Sequence, residues 1–148
     1  MATTATINIS SDIYSGFSGI SKTMTLTKAG TVNDIEETTG FSRRKLTDTN
    51  NHDLVIMADA SLIQETSDST AAKIYIKNIG DGKGNIDKSV AVAISLGTPG
   101  GSTQQISKLY GGDWMMIPLT TIDDTGDVFA TAETNDAVVL EYVMFYEV

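Results

Sequence analysis

"AVVLEYVMFYEV" (residues 137–148) decides the fold class, because ten of its twelve side chains are apolar or aromatic. The residues alternate with a period of two: one face carries no charge, and the other mixes apolar side chains with Glu141 and Glu147. Valine and aromatic enrichment at this period predicts a β-strand. A long apolar edge strand would promote aggregation, so we expect a central strand, with its second face partly covered by another subunit.

Similar alternation recurs upstream, in "KIYIKNIG" (73–80), "VAVAISLG" (90–97), "DWMMIPL" (113–119) and "DVFATA" (127–132). Clusters of Gly, Asp and Asn separate these segments, which is typical of an antiparallel sandwich or barrel. We therefore predict an all-β fold, an antiparallel β-sandwich or jelly-roll-like, with an irregular N-terminal part. Pro118 interrupts a strand pattern and predicts an edge position or a bulge.

The N-terminal half is less regular than the rest of the chain. Strands are predicted at 23–27 and 53–58, and residues 4–10 form either a strand or a loose arm. Because 1–22 is rich in Ser, Thr and Gly, we predict a docking arm there that orders on binding. A single sandwich domain is expected to occupy 23–148.

Three local patterns in the sequence carry weaker signals. In "NDIEETTGF" (33–41), a helix cap at Asn33 and a stop at Gly40 favour a short helix as much as a loop. "GDGKGN" (80–85) has neither the ending of a phosphate loop nor calcium-ligand spacing, so its turn chemistry predicts a hairpin loop. His52 is the only histidine and has no nucleophile-elbow serine to serve, which predicts a solvated loop position.

The composition restricts the possible functions. The 148 residues contain no cysteine, so disulfides and thiolate metal sites are excluded. With 19 acidic and 10 basic side chains, the formal charge is −9, which favours solubility and disfavours direct binding to nucleic acid or anionic membranes. The chain also lacks the ~18 consecutive apolar residues of a membrane helix, and its first residues do not have the pattern of a secretory signal.

Only one acidic cluster invites a catalytic interpretation. Asp123, Asp124 and Asp127 provide carboxylates for acid–base chemistry or a weak cation site, but Asp is also common in turns because it binds its own backbone. We expect a turn, and therefore no enzyme activity, no cofactor and no metal.

Candidate interaction residues form two groups along the chain. Arg43, Arg44 and Lys45 are the only basic cluster and fit either a contact with an acidic protein neighbour or a solvated loop. Trp114 and Met115 follow a Gly-Gly pair, where a Trp anchors an interface, stacks on a sugar or fills the core.

The closing strand supplies a third group. Val143 and Phe145 lie on its second face, away from the uncharged one, and are predicted to contact a sister subunit. If both faces of this strand are covered, one by the core and one by another copy, the chain is an oligomer.

The second half of the sequence resembles small virion proteins of tailed bacteriophages. "KIYIKNIG", "VAVAISLG", "LYGGDWMMIPL" and "DVFATAETNDAVVLEYVMFYEV" follow their pattern of strand–Lys-Asn, apolar strand, Gly-Asp-Trp before Pro-Leu, and a last strand ending in aromatic-Glu. The resemblance covers about 73–148. It implies a capsid decoration (cement) protein or a neck or tail component, probable partners being sister copies in a trimer and the major capsid protein. The expected location is the capsid surface, after assembly in the host cytoplasm.

Overall fold

A computed structural model describes residues 4–10, 19–25, 37–38, 40–55, 72–97, 103–119, 127–135 and 137–146. These residues form strands joined by turns and contain no helix, which confirms the predicted all-β class. In chain order the strands are β1 Thr4–Ile9, β2 Ile20–Thr25, β3 Glu37–Thr38, β4 Ser42–Leu46, β5 Asn51–Val55, β6 Ala72–Asn78, β7 Ala91–Gly97, β8 Thr103–Tyr110, β9 Trp114–Leu119, β10 Asp127–Ala132 and β11 Val138–Tyr146.

Two antiparallel sheets pack face to face as a sandwich. The five-stranded sheet has β11 at its centre, with β3 and β4 on one side and β6, then β9, on the other. The four-stranded sheet has the order β5-β10-β7-β8. The pairs β4/β11, β5/β10, β6/β9 and β7/β8 are nested like one long hairpin that has been rolled up, which is the strand arrangement of a double-sheet jelly roll.

The core lies between the two sheets and follows the alternation of the strands. Ile74 and Ile76 of β6 and Leu140 of β11 are fully buried, and Val92 and Ile94 of β7 meet them from the other sheet. The uncharged face of the closing strand therefore lies on the core, as the sequence predicts. Since β11 pairs on both sides, it is also the predicted central strand.

The predicted helix at 33–41 is wrong where its residues are described. Glu37 and Thr38 form β3, opposite Tyr146 and Phe145, whereas residues 33–36 and 39 lie outside the described residues. The physical reason is the length of β11, because β4 pairs only with its first half, at 138–142. A buried strand must pair its remaining backbone groups, and this requirement outweighs a weak local capping signal.

Two loop predictions also need correction. The segment 80–85 is not a hairpin loop, because β6 and β7 belong to different sheets and the segment connects them. Turn chemistry specifies the local bend but not which sheet the next strand joins. His52 lies in β5, opposite Ala130, and not in a loop.

The N-terminal residues form a separate two-stranded ribbon of β1 and β2. Its outer side is polar: the Thr6 and Thr23 hydroxyls lie 2.8 Å apart, and Ser21 donates a hydrogen bond to Asn8. Because β2 runs from Ile20 to Thr25, the boundary placed between an arm at 1–22 and a domain at 23–148 falls inside a strand. Pro118 lies in β9, which pairs only with β6 among the described strands, so its predicted edge position is confirmed.

Candidate functional site: the outer face of the five-stranded sheet

Strand alternation places a distinct set of side chains on the outer face of the five-stranded sheet. In β6, Ile74 and Ile76 point into the core, so Lys73, Tyr75 and Lys77 point outward. The register then aligns Tyr75 with Val143 of β11 and Met116 of β9. This row is apolar across three neighbouring strands, which are 70 residues apart in sequence at their extremes.

Two aromatic rings meet on this face. Trp114 lies opposite Lys77 at the start of β9, and its ring centroid is 6.0 Å from that of Tyr75, with the planes tilted by 35°. Trp114 is 49% exposed, so the alternative in which it fills the core is wrong. Its position follows from the Gly-Gly turn before it, where Asn78 of β6 donates its backbone N–H to the Asp113 carbonyl and aligns the two strands.

A shallow groove runs between this face and the first residues of β1. Its volume is about 280 Å³. Val143, at the bottom of the outer face, is only 3% exposed, whereas Phe41 at the rim is 72% exposed. The lining is mostly apolar and consists of Thr4, Ala5, Phe41, Tyr75, Met116, Glu141, Val143 and Phe145.

One ion pair bounds the groove. The Nε and Nη2 atoms of Arg43 both donate to Oε2 of Glu141, at 3.0 and 2.9 Å. Burial, together with the Glu141 carboxylate, raises the pKa of the Tyr75 hydroxyl above its ordinary value. Burial alone lowers the pKa of the Lys73 amine. These groups therefore lie in partly desolvated surroundings although the face is open.

The charge of this face is opposite to that of the chain. Its four cations and one carboxylate give a formal charge of +3, while the chain as a whole carries −9, so the remaining residues carry −12. Aromatic and apolar side chains lie among the charges. We call this surface the basic-aromatic face; it consists of Phe41, Arg43, Lys45, Lys73, Tyr75, Lys77, Trp114, Met116, Glu141, Val143 and Phe145.

Five of the seven interaction residues predicted from the sequence lie together on this face: Arg43, Lys45, Trp114, Val143 and Phe145. The other two point away from it. Met115 packs against the core from the inner side of β9, and Arg44 lies between Arg43 and Lys45 on the opposite side of β4. Because Val143 is buried within its own chain, it offers a partner almost no surface.

Sequence reasoning missed Phe41, Tyr75 and Lys77. The period of two in "KIYIKNIG" does place Tyr75 and Lys77 on one side of a strand. The missing information was that this strand lies beside the closing strand, which only the register shows.

A second depression lies at the loop end of the sandwich, with a volume of about 330 Å³. Asp81 accepts hydrogen bonds from the Asn85 side chain and the Lys83 backbone, and Asp87 accepts from Ser89, which lowers the pKa of both carboxyls. These carboxylates thus hold their own loop in place. No metal-binding group of three side chains occurs in the described part of the chain, and the side chains of Asp123, Asp124 and Asp127 lie outside it.

Comparison with known proteins adds no relative: no family model matches the chain, and no curated protein matches it significantly. Within the described ranges, no helix has the length and hydropathy to cross a membrane. What the fold and the site define is therefore a class: a jelly-roll β-sandwich with a basic-aromatic face.

Proposed function

We propose that this chain is a structural protein of a tailed-bacteriophage particle and that it decorates the capsid as a cement protein. The observation that carries the proposal is the basic-aromatic face, where Phe41 and Trp114 are exposed on a stiff sheet. Exposed aromatic side chains grouped with cations are characteristic of surfaces that bind another protein. The resemblance of 73–148 to small virion proteins supports the same function.

The proposed role is not enzymatic and needs no cofactor. The partners are sister copies, in a homotrimer, and the major capsid protein at the capsid surface, with assembly in the host cytoplasm. Nucleic acid and membrane are not direct partners, in keeping with the charge of −9. A neck or tail position is the alternative location within the same particle.

The experiment that tests this proposal adds purified protein to capsids that lack decoration. We expect saturable binding with several hundred copies per capsid and a higher melting temperature of the shell, because a bound protein stabilises the state to which it binds. Cryo-EM and calorimetry measure the two effects. Intact shells that bind no protein would contradict decoration, and a dozen or fewer copies per particle would indicate the neck or tail.

A glycan- or receptor-binding module is the second candidate function. The specific observation in its favour is the exposed ring of Trp114, which packs at 6.0 Å from Tyr75 and offers a platform for a sugar. Under this hypothesis, Trp114→Ala abolishes binding on a glycan array, while Tyr110→Ala, which removes an exposed aromatic from the other sheet, leaves it unchanged. An array without signal for the wild-type protein rejects this candidate.

A further inference from the structure

We propose that the basic-aromatic face binds the acidic surface of a second copy of this chain, head to tail. The inference deepens the proposed function and rests on it for the step that the chain assembles with itself. What it adds is the surface used, the chemistry of the contact and the symmetry that this chemistry allows.

The charge distribution identifies the occupant. The face has four of the ten basic side chains and one of the 19 acidic ones, so acids outnumber bases 18 to 6 on the rest of the chain. Any surface of a sister copy outside the face therefore has, on average, the complementary charge. Complementary potentials speed association and fix the orientation of the partners.

The same charges exclude a face-to-face dimer. A two-fold axis through the face would place +3 against +3 and bring Lys77 and Lys45 towards their own symmetry mates. Juxtaposed like charges cost several kcal/mol in an interface, at roughly the level that binding must overcome. The face must then meet a different surface of its neighbour, and such heterologous contacts close into rings.

The apolar part of the face supplies the dry centre of this contact. Phe41 and Trp114 are exposed in the single chain, and the groove beside them is lined mainly by apolar side chains. Aromatic anchors surrounded by charged residues are the usual arrangement of protein interfaces. The cations thus select and orient the partner, and the aromatic side chains stabilise the complex after water has left.

Salt and charge reversal test the proposal in the intact chain. We expect sedimentation velocity to show a ring-sized oligomer in 0.1 M NaCl that dissociates towards 1 M, because the screening length falls from about 10 Å to about 3 Å. The double variant Lys45→Glu/Lys77→Glu should weaken assembly at least tenfold. The control Lys83→Glu/Lys88→Glu changes the net charge equally on an exposed loop and should assemble like the wild type. Circular dichroism confirms that both variants are folded.

Four results would overturn the inference: a monomer at every concentration, assembly that ignores both salt and the face variant, a two-fold dimer, or DNA or RNA binding that Lys45→Glu/Lys77→Glu abolishes. The capsid-binding experiment distinguishes this failure from that of the proposed function. A monomer that still binds shells contradicts only the head-to-tail contact. A ring that binds no shell contradicts only decoration.

Discussion

Asn78→Asp will destabilise the protein by about 3–5 kcal/mol at neutral pH, although it replaces one NH₂ group by an oxygen of similar size. Asn78 is fully buried at the end of β6. Its amide nitrogen donates to the carbonyl oxygens of Leu109 at 3.1 Å and Val90 at 3.4 Å, and its amide oxygen accepts from the Gly80 N–H at 3.0 Å. A carboxylate would point an anionic oxygen at two carbonyls.

The pH dependence separates this cause from a general packing defect. Burial beside carbonyl oxygens disfavours the charged form, so the introduced carboxyl has a folded-state pKa above its unfolded value of about 3.9. Below about pH 4 the group is neutral in both states, and only the lost hydrogen bond remains. As the pH rises from there to the raised pKa, the unfolded state ionises first and the variant loses stability relative to the wild type.

Urea unfolding at pH 4, 5.5 and 7 measures this effect. The matched control is Gln104→Glu, the same amide-to-carboxylate change at an exposed position of β8, which should stay within about 0.5 kcal/mol of the wild type. A stability loss in Asn78→Asp that is the same at all three pH values would mean that the new carboxylate is hydrated and that the residue is not buried as described.

Asn78 also illustrates what the sequence could not predict. The alternation of "KIYIKNIG" correctly puts Asn78 on the core side with Ile74 and Ile76. A polar residue at such a position must be hydrogen-bonded, but its partners belong to segments 12 and 31 residues away. Local pattern reveals which face is buried; it does not reveal which strand lies beside it.

The same limit applies to the basic-aromatic face. Each strand's outward residues follow from its period of two, and the closing strand shows this most clearly, with Val143 and Phe145 placed correctly on its second face. The ion pair of Arg43 with Glu141 joins residues 98 apart, and no local signal encodes it. The helix predicted at 33–41 failed for the same reason, because β3 exists only to pair with the end of β11.

Gly80→Ala will destabilise the protein by about 2–5 kcal/mol, through two separable costs. Gly80 has φ of +72°, a left-handed conformation in which an added Cβ costs roughly 1–2 kcal/mol. That Cβ would also overlap the backbone carbonyl of Asn85, which cannot move aside as a flexible side chain can. Overpacking of this kind adds about 1–3 kcal/mol.

Gly40→Ala isolates the first cost. Gly40 has nearly the same φ, +73°, but no heavy atom lies within 4 Å of where its Cβ would be. The difference in unfolding free energy between the two variants therefore measures the overlap with Asn85, and equal losses would contradict it. Because Gly80 also accepts the Val139 N–H at 2.7 Å, the overlap strains the bond that joins this loop to β11. Gly80→Ala should then weaken capsid binding as well, since β6 and β11 together carry the basic-aromatic face, whereas Gly40→Ala should leave that binding closer to wild type.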